Sequence, residues 1–177
     1  MAQAGQDNLR NAFRLLAGGQ MAALETIWQE SARPLHGYAF ALTADVDEAD
    51  DILSDVVARL LRSRWRLRWV RNPKAYLFAA VRNSARDRAA RRARAEPLGP
   101  ESRHEPAVPG PAEAAAIRAA VMGLPDDQRE VVVLHIWGGL TFGEIGRTTG
   151  VSPSTATSRY RYGLEKLRGA LGGSDDG

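Results

Sequence analysis

Apolar residues recur at intervals of three and four along most of this chain, and that spacing predicts helices. Leu9, Phe13 and Leu16 suggest a short first helix that Gly18-Gly19 ends. Residues 21–42 place Leu24, Ile27, Trp28, Leu35, Tyr38, Ala39 and Leu42 at helical spacing, with Pro34 expected to kink or interrupt the run. Asp45 and Glu48 stand three apart at the start of the next run, as in a capping box. Its stripe is Ile52, Leu53, Val56, Val57, Leu60 and Leu61, and Asp51, Ser54 and Asp55 fall towards the other side. Asn72 suits the cap of a further helix with Pro73 at its first position. There Tyr76, Leu77, Ala80, Val81 and Ala85 can face inward, while Lys74, Arg82, Asn83, Arg86 and Arg88 project.

The pattern breaks at residues 95–112, which hold five prolines, Gly99 and Gly110 and few apolar residues. This reads as a semi-extended linker. Eighteen residues span at most about 60 Å, and a flexible chain of that length averages about 23 Å, which prolines lengthen. Beyond it, Ala115, Ile117, Val121 and Leu124 predict one helix and Val131, Val132, Leu134 and Ile136 a second, stopped by Gly138-Gly139. Thr141 and Glu144 then form a capping box, flanked by Leu140 and Ile145 as a hydrophobic staple. Gly150 suits the left-handed end of that short helix, and Ser152-Pro153 opens the last one. Ala156, Tyr160, Gly163 and Leu167 form its inward stripe. Ser154, Thr155, Thr157, Ser158, Arg159 and Arg161 stay outward, short hydroxyls and guanidiniums suited to phosphates and base edges. Helix, tight glycine turn and helix make a helix-turn-helix, whose second helix can enter a DNA major groove.

The expected fold is therefore all-α: two small helical domains joined by a flexible, proline-rich linker, the second carrying the helix-turn-helix. Residues 1–20 are an N-terminal extension, 21–94 the first domain, 95–112 the linker, 113–171 the second domain and 172–177 a disordered tail.

Charge changes this picture by its distribution. The net charge of the 177 residues is only +3. Yet residues 45–55 carry six acids, and residues 59–94 carry thirteen bases against the single acid Asp87. Such segregation suggests two different partners for neighbouring surfaces, or two helix faces that balance each other. Lys74 and Lys166 are the only lysines among 24 basic residues, and the other 22 are arginines, which favour bidentate phosphate contacts. Between the blocks, Trp65 and Trp69 alternate with cations. They could stack on unpaired bases or pack as an i, i+4 core pair.

Several classes fall away. There is no cysteine, hence no disulfide, thiolate zinc site or cysteine nucleophile. No two of His36, His104 and His135 share metal-ligand spacing, and no glycine-rich phosphate loop occurs. No enzymatic activity, metal or cofactor is expected. No apolar run approaches the roughly 18 residues that cross a bilayer, and the first residues lack the layout of a signal peptide. A cytoplasmic location without membrane insertion is expected.

Leu124-Pro125-Asp126-Asp127-Gln128-Arg129-Glu130-Val131, Gly139-Leu140-Thr141-Phe142-Gly143-Glu144-Ile145-Gly146 and Thr155-Ala156-Thr157-Ser158-Arg159 closely resemble the −35-binding domain of bacterial sigma factors. The best match is the two-domain extracytoplasmic-function group of the sigma-70 family. Asp47 to Val57 looks like that family's polymerase-binding helix, and Ala75 to Asn83 like its −10-reading helix. The likeness covers residues 21–170 in the family's order. It implies a transcription initiation factor that docks through Asp51, Ser54 and Asp55 on the basic clamp helices of the polymerase's largest subunit. Lys74, Arg82, Asn83 and Arg86 would then meet the −10 element. Ser154, Thr155, Thr157, Ser158, Arg159 and Arg161 would meet the −35 element. The implied partners are core RNA polymerase, including the flap that holds the −35 domain, promoter DNA and an anti-sigma factor. Departures from the family pattern are Ser54 in place of a usual glutamine, Asp55 of a frequent glutamate, Thr157 of a frequent lysine, and Tyr162 and Leu164 of frequent bases. A transcription regulator acting without polymerase, or a pure protein-interaction module, would leave the acidic helix or the two DNA faces unexplained.

Overall fold

Helix boundaries fall where the capping chemistry puts them. A computed structural model describes residues 2–94 and 112–172, and all regular elements among them are helical. In chain order these are α1 (Ala2–Ala17), α2 (Ala23–Thr43), α3 (Val46–Arg62), a 3-10 helix (Arg64–Trp69) and α4 (Pro73–Arg94), then α5 (Ala112–Met122), α6 (Asp126–Ile136), α7 (Phe142–Thr149) and α8 (Pro153–Gly172). The linker assigned to 95–112 lies outside the described residues apart from Ala112, the first residue of α5, and the tail at 172–177 lies outside them apart from Gly172. Asp45 caps α3 by accepting from Glu48 N. The Glu48 side chain does not return the bond but pairs with Arg92 on α4. Thr141 and Glu144 form the full capping box of α7, which Gly150 ends at φ 78°. Asn72 Oδ1 accepts from Ala75 N at 3.0 Å, and Ser152 Oγ from Thr155 N at 3.0 Å.

Pro34 does not interrupt α2, which runs unbroken from Ala23 to Thr43. The first twenty residues, read from the sequence as an extension, supply four buried side chains: Leu9, Ala12, Phe13 and Leu16. Phe13 meets Tyr76 of α4 edge to face with ring centroids 6.0 Å apart, and Arg10 Nε donates to Arg71 O at 3.1 Å. So α1 closes the core of the first half against α2, α4 and the 3-10 helix. In the second half, α8 lies on α6 and α7. Gly163 lets it approach, since a Cβ there would come within 2.8 Å of Val132 Cγ2.

The two halves touch each other, α2 against α6 and α4 against α7. The sequence alone suggests modules free to move apart. The packing follows from α6, in which Val131, Val132, Val133 and Leu134 are all buried, more than one amphipathic stripe accounts for. Arg129 Nη1 donates across to Ala41 O at 3.0 Å. Asn72 Nδ2 donates to Glu144 Oε1, while Glu144 Oε2 accepts from Thr141 N at 2.8 Å.

Leu16 is fully buried and Met21 half exposed. Leu16→Ala should lower the unfolding free energy by about 2–5 kcal/mol, whereas Met21→Ala should stay within about 0.5 kcal/mol. Urea denaturation of both variants checks this; equal midpoints would mean that α1 adds nothing to the core.

Candidate nucleic-acid and protein interface

Three sets of side chains, expected from the sequence to act separately, occupy three helices. On α3, Asp51 and Asp55 stand one turn apart with Ser54 on the same exposed side. Neither carboxylate is free. Arg88 of α4 reaches both, through Nη1 to Asp55 Oδ2 at 3.0 Å and through Nη2 to Asp51 Oδ2. Ser84 Oγ adds a bond to Asp55 Oδ2 at 3.0 Å. With Arg92 on Glu48, the acidic and basic blocks partly neutralise each other across α3 and α4. Asp51 keeps 62% of its side chain exposed and Asp55 45%, so both still face solvent. The Ser54 hydroxyl bonds Asp50 O at 3.0 Å, along its own helix.

The four positions on α4 split into two pairs. Asn83 and Arg86 are exposed, and among the described residues their side chains make no hydrogen bond. Arg82 turns towards the second half, where its Nε lies 2.7 Å from Glu130 Oε1. Lys74 does likewise, its Nζ about 3.0 Å from where a Cβ on Gly139 would stand. Glu130 also accepts from Tyr38 Oη at 2.7 Å. Its side chain is 11% exposed and that of Arg82 19%. Burial, then the negative charge and hydrogen bond of Glu130, push the Tyr38 hydroxyl well above its ordinary range. For Arg82 burial works downward, and the hydrogen bond and charge of Glu130 outweigh it, so the guanidinium is held more firmly charged. The sequence does not announce this bridge: its spacing places Tyr38 inward, but nothing local links residues 38, 82 and 130.

On α8, Ser154, Thr155, Thr157, Ser158 and Arg161 are exposed, and Ala156, Gly163 and Leu167 are buried as the stripe requires. Several polar groups are already engaged. Ser152 Oγ sits 2.8 Å from both Ser154 Oγ and Thr155 Oγ1, and Thr157 Oγ1 donates to Pro153 O. Arg159 Nε lies 3.1 Å from Asp127 Oδ2 of α6. This pair aims the guanidinium and leaves 30% of the side chain exposed. Arg161 stacks on the Tyr162 ring, 5.1 Å from its centroid.

Trp65 and Trp69 are 54% and 60% exposed, so they are not a core pair. They meet edge to face at 5.7 Å, with Arg66 over one ring and Arg68 over the other. Leu67 alone anchors the 3-10 helix inward. With Leu67 as the buried residue of this 3-10 helix, residues two positions to either side fall on its outer face.

Two family models match the chain. One, described as Sigma-70 region 2, covers residues 27–95; the other, described as Sigma-70, region 4, covers residues 114–167. Among curated proteins, the ECF RNA polymerase sigma factor SigM of Mycobacterium tuberculosis is 30% identical over 95% of this chain and 88% of its own length. The RNA polymerase sigma factor CarQ of Myxococcus xanthus is 29% identical over 87% and 92%. Two solved structures share the fold. The sigma factor RpoE of Bartonella quintana, in complex with the anti-sigma factor NepR, superposes with a TM-score of 0.71 at 23% identity, covering 87% of this chain and 98% of that one. CnrH, in complex with the cytosolic domain of CnrY, gives 0.66 at 22% identity, covering 96% and 99%.

The bridge at Glu130 has a pH signature. A phenol whose folded pKa is raised contributes stability that is fully present below its ordinary value of about 10 and is lost as pH rises through the folded value. Tyr38→Phe should therefore cost about 1–3 kcal/mol at pH 7, because it strips a hydrogen bond from a buried carboxylate. That deficit should shrink as pH climbs beyond about 10. Urea unfolding of both proteins from pH 7 to 11 tests it; a deficit independent of pH would show that the Tyr38 proton is not held by Glu130.

Proposed function

The chain belongs to the sigma-70 family, as an extracytoplasmic-function sigma factor that binds core RNA polymerase and directs promoter-specific transcription initiation, and we propose which of its faces performs each part of that activity. The face at Asp51, Ser54 and Asp55 docks on the polymerase. It is an exposed carboxylate pair one helical turn apart, suited to a basic partner helix. The exposed Asn83 and Arg86 meet the unpaired strand of the −10 element, joined by Arg82 and Lys74. The solvent side of α8 enters the major groove of the −35 duplex, with Arg159 as the side chain best placed for a guanine edge. Residues 21–94 and 113–171 serve as the two promoter-binding domains, with residues 1–20 built into the first.

The observation that carries this reading is that one chain presents an accessible acidic pair on α3, exposed Asn83 and Arg86 on α4, and an outward hydroxyl-rich face with Arg159 and Arg161 on α8. A regulator working without polymerase needs only the last of these. Arg82 is tied to Glu130 when the halves are together, so it joins Asn83 and Arg86 on DNA when they part, in keeping with docking on a polymerase that holds the domains at separate promoter elements. An anti-sigma factor would favour the closed arrangement; RpoE of Bartonella quintana, which shares the fold, is bound to one. The chemistry of RNA synthesis stays with the polymerase, the protein itself supplying no catalytic group or cofactor, and it acts in the cytoplasm. No described helix is long and apolar enough to cross a membrane.

Mixed with core polymerase, the protein should co-elute and give promoter-specific run-off transcripts; no co-elution sinks the assignment. Asp51→Arg should abolish co-elution while the circular dichroism spectrum stays helical, and unchanged binding would reject the α3 face. Arg159→Ala should weaken −35 duplex binding by about 1–3 kcal/mol in a base-dependent way. A loss equal for all sequences would mark a phosphate contact instead.

A further inference from the structure

Asp51 and Asp55 lie at i and i+4 on one helix face, where like charges repel. Each is also a short side chain with rotamer freedom that docking would have to freeze, an ordering term that weakens association. Arg88 acts on both problems at once. It spans the gap from α4 and takes Oδ2 of each carboxylate, and Ser84 takes the same oxygen of Asp55. Among the described residues no hydrogen bond is made to Oδ1 of either aspartate, and both side chains remain substantially exposed. Arg88 itself is 25% exposed. It follows Ser84 by one turn on the side of α4 that faces α3, roughly 160° round the helix from Arg86 and roughly 120° from Arg82.

We propose that Arg88 is a positioning residue of the polymerase-docking face: its guanidinium holds Asp51 and Asp55 in one fixed pose and presents their remaining oxygens to a basic partner helix. It does not itself touch the polymerase. The fork geometry matters, because two carboxylates on two separate nitrogens need a planar, rigid donor set that an ammonium does not supply. The same residue opposes the attraction over longer range, because its positive charge reduces the negative potential that steers a basic partner towards α3. Positioning and steering therefore carry opposite signs and separate in the kinetics. This inference rests on Asp51 and Asp55 being docking contacts.

The test is the association and dissociation rate of the full-length protein on immobilised core polymerase, at low and moderate salt. Arg88→Gln should dissociate about five- to ten-fold faster, from loss of pre-ordering. Its association should be unchanged or faster, more so at low salt. Arg88→Lys keeps the charge and should still dissociate faster than the unaltered protein. In the Asp51→Asn/Asp55→Asn background, Arg88→Gln should add nothing to the dissociation rate. Dissociation of Arg88→Gln or Arg88→Lys at the unaltered rate overturns the proposal, as does an equal effect of Arg88→Gln in both backgrounds. Slower association with a lowered melting temperature also overturns it, because that is the signature of a merely structural ion pair. If the double asparagine variant alone binds polymerase normally, the α3 docking assignment fails rather than the role of Arg88 within it.

Discussion

A carboxylate taken out of water must find partners, and Glu130 finds them on two helices of the other half. Tyr38 donates from α2 and Arg82 from α4. This one group fixes how the halves meet, over the apolar packing of α6 that brings them together. Removing either donor leaves a largely buried charge short of hydrogen bonds, a more costly state than a missing surface pair. Around it the contacts are individually weak: a guanidinium on a helix-end carbonyl from Arg129 and an amide on a carboxylate from Asn72. The interface thus sets one polar bridge within a continuous apolar core that includes the buried valines of α6. Once exposed, the groups of such a bridge can be satisfied by water.

The charge blocks show how a linear pattern acquires a second meaning when it folds. Acids over 45–55 and bases over 59–94 look like surfaces for two partners, or two faces that balance each other. Both hold. Glu48, Asp51 and Asp55 each meet an arginine of α4, yet Asp51 and Asp55 keep much of their area in solvent. Asp51 and Asp55 thus remain available while being held, and the α4 cations that are not consumed, such as Arg86, lie elsewhere on its circumference.

Most of the architecture is legible in the sequence because it is local. Thr141 with Glu144, Asn72 with Pro73, Ser152 with Pro153 and Gly150 announce helix ends through chemistry within four residues. The inward stripe of α8 follows from spacing alone. What spacing cannot supply is anything set by distant packing. Pro34 sits inside an intact α2 because the tertiary environment outweighs its local cost. Trp65 and Trp69 could be a core pair or stacking platforms by spacing, and burial of Leu67 between them leaves both outside. Of the expected contact residues, Asp51, Asp55, Asn83, Arg86 and the outward side of α8 are where the pattern puts them. Lys74 and Arg82 face the partner half, a fact that depends on residues 139 and 130.

Glu144 offers one oxygen to Thr141 in its own half and the other to Asn72, whose Oδ1 in turn fastens the first turn of α4. The starts of two helices are thereby joined through a single carboxylate, and each helix keeps its own cap when that link is cut. Separation of the halves at this point therefore unravels no secondary structure. It works like a latch whose two parts are each finished pieces, so opening this contact gives up one hydrogen bond and no helical turn.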